Sequence, residues 1–473
     1  MVSVERLDLM KLKMIKALSL LMITLTLGCK STVNTFGVKF EAQLHSLSNG
    51  LTVIFVEDHT VPVISYQTFV RAGSVDEEPG KTGIAHLFEH LMFKGTEKYG
   101  SKEFFKKLET RGASVNAYTT RDYTVYHETF IPPLLDTVIE LESDRLANLK
   151  VTQKALDIEK QIVFEERRLR TENSPSGKMN EALWNSAFRL HPYQNPIIGY
   201  PLDLARLTAE DLNDFFKTYY IASNIALVVV GDFEPNEVLK KIKKAYGELP
   251  EQKPPERKIV AEPNRESETR LQLYDHVASD RLMIAYPIVS AFDDEAYSLD
   301  VLANILFEGT HSRGQLSLVE SEGFFLSLGG SAFTPTFPGL FLIQGTLAKG
   351  FSAEHGESKI YHLLSQIQTE GVTQSEVKKA VRQLSLEIVD TVRTPYGLAQ
   401  LIGTAQMVLG DAKRFSKDLE KYHEVTPEKV KKVATKYFDP NNRTVVIMSP
   451  ESYRDRIRKN KKKSKSVNRK VNQ

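Results

Sequence analysis

The chain of 473 residues has little that would stabilise it covalently or carry it across a membrane. It contains one cysteine and one tryptophan. A single cysteine excludes an intrachain disulfide framework and a zinc–thiolate cluster. No interior apolar run reaches the roughly 20 residues that a transmembrane helix needs. Charge of either sign is not in excess, because 62 Lys and Arg against 60 Asp and Glu leave +2. This composition is that of a globular protein with room for more than one domain.

The N-terminal segment has the pattern of an export signal. Three lysines between residues 11 and 16 precede the apolar run 17–27, which ends just before Cys29. A basic region followed by a short apolar region is typical of a signal peptide and not of a transmembrane helix. The place of the only cysteine favours a lipoprotein over an ordinary secretory signal, although Thr26 departs from the preferred aliphatic residue. We therefore expect 1–29 to be a signal peptide, with Cys29 lipidated and the protein anchored to the membrane of a bacterial cell envelope.

The C-terminal segment is strongly basic. Residues 454–470 contain ten Lys or Arg and one Asp, a local charge of +9. The rest of the chain therefore carries about −7, since the whole is +2. Such a run is usually solvated. Because an exported protein rarely meets nucleic acid, we interpret 453–473 as a disordered basic tail with no nucleic-acid partner, and contact with lipid or a partner chain is the second option.

The run 83–93 contains two histidines and a glutamate in the order H-x-x-E-H. In a helix, His86 and His90 lie one turn apart on one face, so both imidazoles can reach one metal ion. Glu89 shares that face and can act as a base toward a water on the metal. The order is that of the inverzincin motif. The alternative is a helix that carries two histidines by chance.

A second predicted helix offers a third metal ligand. Apolar residues recur at helical spacing after Thr152, which is a plausible N-cap. Glu159 and Glu166 are seven residues apart and share a face. One of them can bind the metal while the other supports a ligand from behind. A solvated charged face is the alternative.

These segments resemble the pitrilysin/insulinase-type zinc metallopeptidases, the inverzincins, and especially their mitochondrial-processing-peptidase branch. The similarity runs from roughly Leu44 to Ser449 and includes Asn-Ala-Tyr-Thr at 116–119 and His-Pro-Tyr at 191–193. The resemblance implies the following roles: zinc ligands His86, His90 and Glu166, with one Zn²⁺ per chain; catalytic base Glu89; supporting catalytic glutamate Glu159. Glu165 adjoins Glu166, so a slip of one residue is the main alternative.

The resemblance also implies how substrate is bound. It places Asn116 and Ala117 on a strand edge that takes an extended peptide by main-chain hydrogen bonds. Related chains carry an Arg and a Tyr in the second half that assist catalysis. Arg313 stands near the Arg position and is predicted to contact substrate. The Tyr position holds Leu326 or, on a shifted alignment, Phe325, and neither has a hydroxyl. We therefore expect a dimer, either a heterodimer with a homologous non-zinc subunit that supplies the missing groups or a homodimer.

The chain repeats itself. Residues 208–230 align with 426–448 at an offset of 218, and 93–96 align with 307–310 at an offset of 214. Under the second offset the three motif residues fall on Asp300, Ala303 and Asn304. The second copy therefore keeps the scaffold and lacks the metal ligands.

The repeat and the mixed strand and helix patterns predict an α+β fold. We expect two similar domains, 40–245 and 265–452, each an antiparallel-rich sheet backed by helices, joined by the linker 246–264. The resemblance implies that they face each other across a cleft.

Taken together, these features predict a zinc-dependent endopeptidase that cleaves peptides or unfolded protein segments outside the cytoplasm. The alternative is a non-enzymatic peptide-binding or assembly subunit on a peptidase scaffold. The intact metal motif favours the enzyme.

Overall fold

The computed structural model of the chain describes residues 29–35 and 38–454. The predicted signal peptide and basic tail lie almost wholly outside the described residues. The strands are β1 (Cys29–Thr35), β2 (Val38–Ser46), β3 (Thr52–Glu57), β4 (Ile64–Val70), β5 (Ser114–Thr119), β6 (Thr124–Phe130), β7 (Ile225–Gly231), β8 (Thr269–Asp275), β9 (Arg281–Pro287), β10 (Phe325–Phe333), β11 (Leu340–Leu347) and β12 (Thr444–Pro450).

Fourteen α-helices connect and cover these strands within the described part of the chain. They are α1 (Ile84–Leu91), α2 (Ser101–Glu109), α3 (Leu135–Asn148), α4 (Gln153–Arg167), α5 (Pro175–Ala187), α6 (Pro201–Arg206), α7 (Ala209–Tyr219), α8 (Pro235–Tyr246), α9 (Glu295–Phe307), α10 (Ala353–Glu370), α11 (Gln374–Thr391), α12 (Pro395–Leu409), α13 (Arg414–His423) and α14 (Pro427–Tyr437). Across 29–35 and 38–454 no helix is both apolar enough and long enough to cross a lipid bilayer.

The strands form two sheets with one shared order. The first sheet runs β1-β2-β3-β7-β4-β6-β5, and the second runs β10-β11-β9-β12-β8. Read from the opposite edge, the second sheet repeats the order of the five strands β3 to β5 of the first. In each sheet only one neighbouring pair is parallel, β3 with β7 and β12 with β8. The predicted α+β class, two antiparallel-rich sheets backed by helices, is confirmed.

The two halves exchange a helix. Helix α5 of the first half packs Leu183 and Trp184 against Val446 and Met448 of the second sheet. Helix α12 of the second half packs Ile402 and its neighbours against the first sheet. Burying a large apolar side chain is worth about 1.5–3 kcal/mol, so this exchange holds the halves together. Each sheet is covered partly by a helix of the other half. The domain bounds 40–245 and 265–452 therefore stay a prediction.

The remaining faces carry the larger cores. One core joins the first sheet to helices α1, α3, α4, α7 and α8, and a second joins the other sheet to α9, α10, α11 and α14. Residues 247–268, between α8 and β8, form neither helix nor strand. Strand β5 is one of the two edge strands of the first sheet, and helix α1 packs beside it, so the H-x-x-E-H residues lie next to a strand edge.

Candidate active site

Helix α1 begins at a turn that only glycine fits. Gly83 has a φ of 87°, in the left-handed region, and a Cβ there would lie 2.7 Å from the carbonyl oxygen of Ile198. The buried carboxylate of Glu77 accepts hydrogen bonds from the N–H groups of Gly83 (3.0 Å) and Ala85 (3.1 Å). These bonds satisfy free donors of the first helical turn and fix the helix direction.

The two motif histidines meet a glutamate from α4. Their rings lie 4.9 Å apart, centre to centre. Glu166 Oε2 is 3.7 Å from His86 Nε2 and 3.4 Å from His90 Nε2. Zinc bonds of about 2.0–2.1 Å at tetrahedral angles place ligand atoms about 3.3 Å apart. Two imidazole nitrogens and one carboxylate oxygen at these separations therefore fit a zinc ion with one further position for water or substrate.

The neighbouring glutamates of α4 face different ways. The Thr152 hydroxyl caps the helix by accepting from the N–H of Ala155 (3.2 Å), as predicted. From that start Glu166 turns toward the histidines, while Glu165 is exposed and pairs with Arg168 at 2.6 Å. The geometry favours Glu166 over the one-residue slip to Glu165.

Glu159 lies beside the second ring nitrogen of His90, the one that does not face Glu166. Its Oε2 is 3.6 Å from His90 Nδ1, and its Oε1 pairs with Lys94 Nζ at 2.7 Å. His90 therefore has one nitrogen toward Glu166 and the other toward Glu159. A carboxylate on the second nitrogen of a ligating histidine fixes the ring orientation and strengthens the ligand. This position fits the supporting role predicted for Glu159.

The charges around the two histidines also favour a bound cation. Burial and the neighbouring His90 lower the pKa of His86 to about 4, which leaves it neutral at neutral pH. Burial lowers the pKa of His90, but contact with Glu159 and Glu166 outweighs it and raises the pKa to about 9. The two carboxylates thus hold a proton on His90 that a divalent cation would displace.

Glu89 is held next to this group. The Thr119 hydroxyl donates to Glu89 Oε2 at 2.5 Å, and burial raises the pKa of Glu89. The carboxylate lines the same cavity as the histidines. One oxygen is thus occupied by Thr119, and the other is free to exchange a proton in the cavity.

The cavity measures about 910 Å³, and every residue that lines it lies between His86 and Ile198. Asn116 and Ala117, the predicted substrate contacts, line it from β5. The N–H of Ala117 donates to the Asn116 side chain at 2.9 Å and so stands outside the sheet ladder. An extended peptide on this edge would meet that donor.

Arg313 is not brought to this cavity. Its guanidinium makes two bonds to Glu376, at 2.7 and 3.0 Å, and one to the carbonyl oxygen of Gly371. Leu326 is 67% exposed and Phe325 is buried. Within one chain, Arg313 therefore does not line the cavity that holds the other predicted site residues.

The aligned residues of the second half have other partners. Asp300 accepts from the Tyr422 hydroxyl at 2.7 Å, and Asn304 donates to Glu308 at 3.0 Å. In the described ranges no group of metal-binding side chains forms on α9.

A second histidine–carboxylate group lies at the surface, where β3 and β7 end. His59 contacts Asp232 through Nδ1 (2.5 Å) and Glu57 through Nε2 (2.9 Å), with Glu234 nearby. These contacts raise the pKa of His59 to about 9. Both nitrogens of this imidazolium donate to carboxylates, so the group is an ion-pair cluster.

The sequence predicted no role for several residues of the cavity. Thr119 donates to Glu89, Lys94 pairs with Glu159 at 2.7 Å, and Arg170 Nη1 is 3.0 Å from Glu166 Oε1. The spacing of Arg170, one turn after Glu166, was the one available hint. Arg121 and Trp184 meet only through the tertiary fold.

The chain matches known proteins over most of its length. Residues 52–200 match the family model described as insulinase (peptidase family M16), and residues 206–384 match the model described as peptidase M16 inactive domain. The zinc protease PqqE of Helicobacter pylori is 28% identical over 436 residues, covering 90% of this chain and 97% of that protein. A mitochondrial-processing peptidase subunit beta from Lentinula edodes is 24% identical, covering 87% and 90%.

Solved structures share the fold. The crystal structure of a protease from Helicobacter pylori matches with a TM-score of 0.83 and 27% identity, over 86% of this chain and 99% of that chain. The first half of the periplasmic protease PqqL from Escherichia coli matches with a TM-score of 0.71 at 18% identity, over 86% and 92%.

Proposed function

The chain belongs to the insulinase family of peptidases, M16, and on that premise we propose that it is a zinc-dependent endopeptidase acting on peptides and unfolded protein segments. The observation that carries the proposal is the convergence of His86 Nε2, His90 Nε2 and Glu166 Oε2 at zinc-ligand separations. These three residues would hold one zinc ion. When bound, zinc would supply Lewis acidity toward the scissile carbonyl and toward water.

The chain's own residues would carry the proton transfers. Glu89 accepts a hydrogen bond from Thr119 on Oε2, which leaves Oε1 to take a proton from the attacking water and pass it to the leaving amine. Burial raises the pKa of Glu89, which brings this base closer to neutral pH and makes it stronger. Glu159 keeps the His90 ring in place through Nδ1.

Substrate would be aligned by the free edge of β5. The Ala117 N–H, now bonded to Asn116, would turn to a peptide carbonyl. Strand addition requires an extended main chain, so compact folded proteins should resist cleavage. A Pro at Ala117 should raise KM because it removes this donor.

A second function is a peptide-binding or assembly subunit without turnover. The match of the second half to the inactive-domain model favours it. The lack of a hydroxyl at Phe325 and Leu326 favours it as well. Zinc-dependent turnover would decide against this reading.

We also propose a homologous partner. The cavity is lined by one half of this chain only, between residues 86 and 198, and a related non-zinc chain placed over it would supply the second wall and a hydroxyl. A donor aimed at the developing oxyanion is worth about a hundredfold in rate. Adding such a subunit should raise kcat by about that factor. Full activity of this chain alone, as symmetric dimers, would contradict the heterodimer.

The proposed location is the bacterial cell envelope, with a lipid on Cys29. The Cys29→Ser variant should move from the membrane fraction to the soluble fraction, because the acyl anchor is lost. Mass spectrometry of the mature N-terminus is the direct measurement. Cleavage at another residue without lipid would contradict this location.

The central experiment combines elemental analysis with digestion of an unfolded peptide library. The protein should contain one zinc per chain and cleave peptides at neutral pH, and a chelator should stop the cleavage. Glu89→Gln should keep the zinc and lose hydrolysis, because the base is removed and the ligands remain. An unchanged rate in Glu89→Gln would overturn the mechanism.

A further inference from the structure

Three Lys and Arg side chains line the cavity of the candidate site, and two of them form ion pairs with the glutamates of α4. Lys94 pairs with Glu159 at 2.7 Å, and Arg170 pairs with Glu166 at 3.0 Å. Arg121 is the third. Among the residues that the structure describes, no carboxylate lies within ion-pair distance of Arg121.

The position of Arg121 is fixed by stacking. Its guanidinium carbon lies 3.6 Å from the ring centre of Trp184 on α5. Trp184 itself stacks on Phe188 at 5.7 Å and meets the edge of Phe333 at 5.6 Å. The one hydrogen bond from Arg121, from Nε to the carbonyl oxygen of Tyr193, is long at 3.4 Å. The guanidinium is therefore held in place, while its two terminal nitrogens keep their donor capacity.

Asp122, the next residue along the chain, and Glu181 of the same cavity have other partners. Asp122 Oδ1 accepts from the Tyr193 hydroxyl at 2.6 Å, and Asp122 Oδ2 accepts from the N–H of Thr336 at 3.0 Å. Glu181, which also lines the cavity, is bound by Arg167 at 2.8 Å. Burial lowers the pKa of Arg121 to about 10, so it is still a cation at neutral pH. A partly buried cation without a counter-ion is unusual in a fold that pairs its other cavity cations.

Arg121 lies off one end of the substrate strand. Strand β5 ends at Thr119, whose hydroxyl holds Glu89, and Arg121 follows two residues later in the turn to β6. A peptide extended along β5 would pass Glu89 and then reach the guanidinium. A carboxylate in that stretch would meet two parallel N–H donors, the geometry that arginine binds best.

We propose that Arg121, stacked on Trp184, is a specificity residue that binds a carboxylate of the substrate peptide a few residues to one side of the cleaved bond. The carboxylate is either an Asp or Glu side chain or the free C-terminus of a short peptide. This inference rests on the proposed function, since it assigns the substrate class of the same cavity.

The test measures binding, so that it does not depend on turnover. The zinc-loaded Glu89→Gln protein is titrated with fluorescent short peptides whose ends are blocked and which carry a single Glu, moved one position at a time, each with a Gln counterpart. A further peptide without Glu carries a free C-terminal carboxylate. At one position the Glu peptide, or the free-acid peptide, should bind about tenfold more tightly than its neutral counterpart, because a hydrogen bond to a charged group is worth about 1.5–3 kcal/mol. Which peptide responds identifies the source of the carboxylate.

Adding Arg121→Gln should reduce this preference to within about twofold. Adding Arg168→Gln, an exposed arginine outside the cavity that pairs with Glu165, should leave it intact. Arg121→Lys keeps the charge and loses the planar fork, so it should retain only part of the preference. Thermal unfolding of each variant confirms that it is folded.

The outcomes separate the two proposals. No preference at any position, no binding of any peptide, or a preference that survives Arg121→Gln would overturn the role of Arg121. If Arg121→Gln fails to fold, the position-dependent preference and its reduction in Arg121→Lys decide. Absence of hydrolysis by the protein that retains Glu89 would contradict the proposed function, while a carboxylate preference in binding would still support Arg121.

Discussion

The two halves of this chain share one strand order but differ at the helix beside the free sheet edge. Helix α1 carries His86, Glu89 and His90, which face Glu166. Helix α9 carries Asp300 and Asn304 at the aligned places, and these bond to Tyr422 and Glu308. The scaffold therefore does not depend on the metal residues. The fold and the candidate site are therefore separable properties of this sequence.

The exchanged helices make a second comparison. Each begins with a hydroxyl N-cap, a proline and a glycine three residues on: the Ser174 hydroxyl accepts from the Gly177 N–H, and the Thr394 hydroxyl accepts from the Gly397 N–H. The same cap at an offset of 220 shows that the repeat extends to the helices that tie the halves together. Here the halves are alike because the same packing is needed twice.

The largest effect on zinc binding and hydrolysis is expected when a metal-binding residue of the first half is replaced by its counterpart from the second half. His90→Asn, which copies Asn304, should lose most of the zinc and lower hydrolysis at least about a hundredfold, since one of three protein ligands is removed. Elemental analysis and peptide turnover measure it. The matched control Asn304→Ala should retain both. Full zinc content in His90→Asn would mean that the site lies elsewhere.

The glutamates of α4 sharpen the assignment within the first half. Glu166→Gln should weaken zinc binding strongly, and Glu159→Gln should weaken zinc binding or activity by about 10- to 100-fold, as expected for a residue that orients a ligand. Competition with a chelating dye gives the affinities. Glu165→Gln is the control and should bind zinc normally, because Glu165 pairs with Arg168 at the surface. Equal losses of zinc affinity in Glu165→Gln and Glu166→Gln would contradict the assignment of Glu166 as the zinc ligand.

A smaller effect is expected where α12 meets the first sheet. A Cβ at Gly403 would stand 2.0 Å from the ring of Phe69, so Gly403→Ala should lower the free energy of unfolding by about 1–3 kcal/mol. Denaturant titration measures the change. Gly329 in β10 has open space around it, and Gly329→Ala serves as the control without a clash. Wild-type stability in Gly403→Ala would show that α12 does not pack closely on the first sheet.

The smallest expected effect is a pH dependence in the second half. Burial, with Glu308 and Asp418 nearby, raises the pKa of Asp300 from 3.8 to about 7. The folded state then holds a proton that the unfolded state releases, so stability decreases as pH rises between these two values. Asp300→Asn should therefore stabilise the protein at pH 8, by a fraction of the roughly 4 kcal/mol to which this pKa shift corresponds because Asn keeps a buried polar group, and should change its stability little near pH 4. Thermal unfolding at both pH values measures it, with the exposed Asp214→Asn as control. If Asp300→Asn stabilised the protein more at pH 4 than at pH 8, the raised pKa of Asp300 would be wrong.

Local patterns in the sequence predicted several elements correctly. The Thr152 cap and the helical H-x-x-E-H face depend on neighbours within a few residues, so the chain itself specifies them. The internal repeat, read as two stretches of similar residues, predicted two related α+β units. The structure then placed His86, His90 and Glu166 together, although their roles in binding metal stay a prediction.

Other features depended on contacts between distant residues. Arg313 was expected at the substrate, but in this chain its guanidinium pairs with Glu376. Nothing in the sequence near residue 313 specifies this partner, 63 residues away. The stacking of Arg121 on Trp184 joins a strand turn to a helix in the same way.

Local sequence patterns specified the helix that carries H-x-x-E-H, the helix that begins after Thr152, and the absence of the metal-binding residue types from the second half, because helical period, capping and residue chemistry are local. Long-range packing determined that Glu166 and not Glu165 faces the histidines and that α5 and α12 each cover the other half's sheet. It also left Arg121 without a counter-ion among the described residues. Those outcomes follow from the packing of surfaces far apart in the chain, where burial of apolar area selects the partner of each face.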